Sequence, residues 1–159
     1  MKNKRWFIML VALVLVGLLN VMLASRAMTA RADSPTPPNQ PRPVEKDMHE
    51  FMEYIFQPTY KRLKHSIAGE PADNNAWKGI KADALILAEG GNLLLLRSPK
   101  EDATVWGELS AAVRESGGNL YQSAKKKDYK SARQHYEVML NKCNVCHDKF
   151  ADGEHQLSP

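Results

Sequence analysis

The sequence predicts an all-α protein, an antiparallel up-down-up-down four-helix bundle with a Cys-x-x-Cys-His motif on its last helix. Three observations predict it. From Val44 onward apolar residues recur at helical spacing, and no run alternates as a strand does. Turn and capping signals cut this stretch into four segments. The links between them, near 69–72, 98–102 and 126–128, are short, and short links turn neighbouring helices back along each other.

The chain has 159 residues, of which 43% are hydrophobic, enough for one small packed domain with flanking segments. Its net charge of +4 is misleading. Lys2, Lys4, Arg5, Arg26 and Arg31 all precede Asp33, and no acid does; without them residues 33–159 carry −1. A near-neutral domain gives nucleic-acid binding no electrostatic footing.

Residues 1–32 read as a signal peptide or a membrane anchor. A basic start is followed by the uncharged, mostly apolar run Trp6–Ala24. Ala30-Arg31-Ala32 has the small-x-small form of a cleavage site, whereas the length of the apolar run approaches that of a bilayer span. Export follows under both readings, placing the domain in the periplasm, soluble or tethered to the inner membrane. Residues 33–44 contain the proline-rich run SPTPPNQPRP and form an extended spacer.

The domain spans 45–151. Its first helix, roughly 45–68, places Met48, Met52, Ile55, Thr59 and Leu63 on one stripe, with Phe56 and Ile67 beside it. Pro58, lacking an N–H, is expected to kink it, and Gly69-Glu70-Pro71 ends it. The second, roughly 73–97, starts at an Asp73 cap and turns Trp77, Ile80, Ala84, Leu87 and Leu94 inward. The third opens at Ser98-Pro99-Lys100-Glu101, a capping box with proline at the first helical position, and carries Val105, Leu109, Ala112, Val113 and Leu120. Its Lys125-Lys126-Lys127 run suits the negative end of the helix dipole. The fourth runs from an Asp128 cap to about Phe150 with Tyr129, Ala132, Tyr136, Leu140, Cys143, His147 and Phe150 on one face. Residues 152–159 are left as a flexible tail.

Cys143-Asn144-Val145-Cys146-His147 is the most specific signal in the chain. Two thiols spaced by two residues, followed by histidine, form the c-type haem attachment pattern: the thiols add to the two vinyl groups and the imidazole meets the iron. One covalently attached haem c is the expected cofactor. A disulfide fits poorly, because Cβ atoms at i and i+3 of a helix lie about 5–6 Å apart and the bond wants roughly 3.5–4.5 Å. Structural zinc needs four ligands, and beyond this motif only scattered histidines remain.

A haem motif on the last helix of a four-helix bundle resembles the cytochrome c′ family, including its methionine-ligated low-spin relatives. The resemblance covers about residues 45–151 and rests on Cys143–His147, on the aromatic Phe150 three residues later and on the Gly-Glu-Pro turn at 69–71. It implies a distal haem residue on the first helix, near Met52. In an up-down-up-down bundle the start of the first helix and the end of the fourth share one end. Met52 then sits roughly 10 Å from the start of its helix and His147 roughly 6 Å from the end of its own, a common level. Met48, one turn away, is the alternative ligand, and both methionines also suit simple packing against the ring.

His65 and His135 project from the stripes and His49 lies on a flank; all three read as surface histidines. Where family members often carry a basic residue four positions after the haem histidine, this chain has Ala151. Arg97 is a candidate propionate partner, or else a charge at a helix C-terminus. Trp106 and the Gly90-Gly91 pair are candidates for the pocket wall.

The expected function is one-electron transfer in the periplasm by a mono-haem cytochrome with His147 and Met52 as axial ligands, without enzyme chemistry. The alternative is a five-coordinate haem that binds nitric oxide or carbon monoxide on the face lined by Met52 or Met48. Peroxidase chemistry lacks a distal acid–base histidine. The expected partner is a redox protein, with Glu45, Asp47, Glu50 and Glu53 suited to steering a basic one; the N-terminal segment is a candidate membrane tether, and a homodimer is compatible with the pattern.

Overall fold

A computed structural model of the chain describes residues 39–159; the expected leader and residues 33–38 of the spacer lie outside the described residues. These residues form four helices packed on one another, and no strand occurs among them. No described helix is long and apolar enough to cross a membrane.

Helix α1 runs Met48–Phe51, widens into a π-helical segment at Met52–Phe56, and resumes as Gln57–Ser66. Asp47 caps it, its carboxylate accepting from the Glu50 amide at 3.0 Å. In the wide segment the Gln57 N–H donates five residues back, to the Met52 carbonyl. Pro58 follows directly and has no N–H to continue the ladder, so the interruption expected there takes the form of this wide turn. The inserted residue changes the inward face. Phe51 is 4% exposed whereas Ile55, expected on the inner stripe, is 37% exposed. Phe51 and Phe56, five residues apart across the wide turn, meet edge to face at 5.6 Å.

Helix α2, Asn74–Leu95, opens at Asp73, whose carboxylate accepts from the amides of Asn75 and Ala76. Its expected inner residues, Trp77, Ile80, Ala84, Leu87 and Leu94, are all buried. The Gly90-Gly91 pair permits two close approaches. A Cβ on Gly90 would meet the Phe56 ring at 2.7 Å, and one on Gly91 would meet the backbone of Arg114 at 2.7 Å.

Helix α3, Ala103–Lys126, begins later than its capping box suggested. Asp102 stands at its N-cap in the left-handed region, φ 56°, without capping through its side chain. Its carboxylate is instead paired with Lys149 of the last helix at 2.7 Å. Helix α4, Tyr129–Phe150, starts at Asp128, which accepts from the Ser131 amide.

The buried residues form two clusters. The larger gathers Leu63, Ile67, Trp77, Ile80, Leu120 and Tyr136; the smaller gathers Phe51, Leu94, Trp106 and Cys146, with Met48, Met52 and Phe150 against it. Phe56 packs on both. Burial of this kind supplies most of the folding drive, at about 25 cal/mol per Å² of apolar surface. Helix ends are tied to one another by polar contacts. Arg97 reaches the Glu45 carbonyl, Lys127 reaches Asn74, and Tyr129 reaches the Ile67 carbonyl. Among the described residues no Cα of α1 comes within 8 Å of a Cα of α4. Side chains bridge the gap between those two helices, and the site lies beside it.

Candidate functional site

Helical spacing carries Met139, Cys143, Cys146, His147 and Phe150 along one side of α4, since residues three and four apart share a face. They line a cavity of about 500 Å³. Helix α1 contributes Met48, Met52 and Phe56 to it, and α2 and α3 contribute Leu87, Leu94, Trp106 and Val113. This size is typical of a pocket for a small organic cofactor, and so is a mostly apolar wall with a few polar groups. Trp106 is fixed on both sides: its indole N–H donates to the Leu94 carbonyl at 2.8 Å, and its ring meets Phe150 edge to face at 5.0 Å.

Both cysteines are free thiols. Burial pushes the Cys143 thiol up to about 12, with the neighbouring Cys146 adding to the shift, and burial raises Cys146 as well. At neutral pH both are protonated S–H groups, reduced and not bonded to each other.

His147 is held by its other ring nitrogen. Its Nδ1 lies 3.0 Å from the main-chain carbonyl oxygen of His155. A carbonyl only accepts, so Nδ1 carries the proton and Nε2 keeps the lone pair, the arrangement of a metal-binding imidazole with an oriented tautomer. Burial pulls the imidazole below its ordinary value, against the upward pull of the hydrogen bond to His155. The ring is therefore neutral, as a metal ligand must be.

Comparison with protein-family models and with curated proteins gives no match.

The residues fit the group that the motif implies. Two reduced thiols, one neutral imidazole and a thioether from another helix converge on an apolar cavity of cofactor size. Cys143 and Cys146 would hold a haem covalently and His147 would ligate its iron, with Met52 or Met48 as the candidate second ligand. Among the described residues no three His, Cys, Asp or Glu side chains converge to cage a bare metal ion.

Other candidate residues lie in different places. Trp106 is part of the cavity wall. Arg97 is not on the lining: its guanidinium donates to the Leu93 and Glu45 carbonyls and stacks over the Phe51 ring at 3.7 Å. It closes the C-terminal end of α2, where the cation is attracted by the quadrupole of the Phe51 ring while burial pulls the guanidinium below its ordinary value. Of the Gly90-Gly91 pair, Gly90 makes room for the ring of Phe56, which is itself on the cavity wall. His49 stands at the rim, exposed, with Glu53 one turn away at 3.5 Å.

Sequence reasoning missed Met139, although it precedes Cys143 by one helical turn and periodicity could have found it. It also missed the tail. Residues 152–159 return along the cavity, and His155, Gln156 and Leu157 line it. Asn144 and Leu157 exchange two hydrogen bonds, 2.9 and 2.8 Å, and Tyr60 of α1 donates to the Ser158 carbonyl at 2.7 Å. No local pattern in the sequence signals contacts that depend on the packed bundle.

Proposed function

We propose that this chain is an exported mono-haem c-type cytochrome, similar in build to the cytochrome c′ family, that transfers single electrons in the periplasm. The observation that carries this reading is the apolar cavity onto which Cys143, Cys146 and His147 of α4 and Met52 of α1 all open. Bound haem supplies a one-electron couple at its iron. The protein's residues hold, orient and shield it: the cysteines fix its position, the His155 carbonyl keeps the Nε2 lone pair of His147 available, and Phe56, Leu87 and Trp106 keep water away. A methionine ligand in addition to the histidine would favour the reduced state of the iron and raise its potential.

The antiparallel order of the helices is part of this reading. Its support is the pairing of helix ends: Lys149 at the end of α4 with Asp102 at the start of α3, Lys127 at the end of α3 with Asn74 at the start of α2, and Arg97 at the end of α2 with Glu45 before α1. That order leaves Glu45, Asp47, Glu50 and Glu53 at the haem end, where they would draw in a basic redox partner.

Absorption spectra of both redox states test the reading. Low-spin, six-coordinate spectra with a sulfur-to-iron band are expected. High-spin, five-coordinate spectra would replace electron transfer by the binding of nitric oxide or carbon monoxide.

A further inference from the structure

We propose that the C-terminal tail is a positioning strap for the haem histidine, acting through the main-chain carbonyl of His155. The inference rests on the haem reading above and adds to it a part of the chain outside the bundle.

Four observations lead there. The His147 Nδ1 proton is directed to the His155 carbonyl oxygen at 3.0 Å. The backbone that delivers this carbonyl is unusual: Asp152, Gly153 and His155 all have positive φ, 50°, 76° and 57°, and only one of them is glycine. Such a conformation persists at a non-glycine residue only when its surroundings impose it. The surroundings do so from both sides. Upstream, the Gly153 amide donates to the His147 carbonyl at 3.1 Å, and just past His155 the Gln156 amide side chain donates to Asp148 at 2.9 Å. Downstream, the Asn144–Leu157 pair and the Tyr60–Ser158 pair anchor the chain to α4 and α1. The strap thus crosses from one helix to the other where their backbones stand apart.

Two consequences follow. The imidazole is locked in one tautomer and one ring orientation, as outer hydrogen bonds do for metal-bound histidines. The strap also engages the Nδ1 proton of His147 with a carbonyl acceptor, so that proton exchanges with solvent only when the hydrogen bond to the tail opens. The acting group is the carbonyl, and the His155 ring is not needed.

Proton NMR of the reduced, haem-loaded protein tests this through the exchange of the His147 Nδ1 proton with water. Exchange is expected to be slow in the full chain and at least about tenfold faster in a chain ending at Glu154, because opening of the strap limits access. His155→Gly keeps the carbonyl and tolerates positive φ, so slow exchange is retained. His155→Val disfavours that φ, so exchange quickens. Equal exchange rates in the full and shortened chains overturn the proposal, and so does fast exchange in His155→Gly, which would assign the role to the ring. Intact mass separates this from failure of the haem reading. If the chain carries no haem, the reading falls, and amide exchange at Leu157 and Ser158 still decides whether the strap is docked; unprotected amides there overturn it independently.

Discussion

In the haem-loaded protein, Met52→Leu is expected to convert low-spin iron to high-spin and to lower the reduction potential by on the order of 0.2 V, within the roughly 0.8 V that axial ligands span. Leucine keeps the volume and apolarity of the side chain and removes the sulfur lone pair, so packing changes little while the ligand is lost. Met52 is singled out by its backbone. It opens the π segment of α1, its carbonyl receives the Gln57 amide five residues on, and such wide turns recur at functional sites. Met48 also lines the cavity, one turn earlier, where the helix is regular. Met48→Leu is therefore expected to leave the spin state unchanged. Absorption spectra and redox titration of the two variants check the pair, and a spin change in Met48→Leu alone would move the ligand there.

Trp106→Ala is expected to destabilise the haem-loaded protein by about 3–5 kcal/mol, the usual cost of deleting a buried aromatic ring. That is a large share of the roughly 5–15 kcal/mol available to a domain. Trp106 is 5% exposed, and its removal eliminates the edge-to-face contact with Phe150 and part of the cavity wall. Trp106→Phe is expected to cost less, since the apolar ring remains and the Leu94 carbonyl still accepts from the Arg97 amide at 2.9 Å. Urea unfolding midpoints order the two variants. Equal losses would mean that the indole hydrogen bond, and not burial, dominates.

The helices with ordinary geometry were legible from their sequences. The buried apolar residues of α2, Trp77, Ile80, Ala84, Leu87 and Leu94, follow the 3.6-residue period, and Asp73 and Asp128 are caps whose hydrogen bonds are local. Legibility fails where a feature depends on tertiary partners. The wide turn before Pro58 shifts α1 by one residue, which turns Phe51 inward and Ile55 outward, and a fixed period cannot represent an inserted residue. The capping box at Ser98 is chemically sound, yet α3 begins at Ala103, where Asp102 is paired with a lysine from the far end of the chain. At the site, the CxxCH motif could be named from its spacing alone, whereas Met52 and Met48, which line the same cavity, are reached through the family resemblance and the level that Met52 shares with His147. The strap could not, because its hydrogen bonds run to Asn144, His147 and Tyr60, and only the packed bundle brings these near residues 152–159.

The central claim is that Cys143 and Cys146 carry a haem through two thioether bonds. Intact mass of the denatured full chain, produced in a host with c-type haem attachment machinery, tests it most directly. The account predicts the polypeptide mass plus one haem, surviving denaturation, with the addition lost in the Cys143→Ser/Cys146→Ser double variant. The bare polypeptide mass, or a haem released on denaturation, would contradict it.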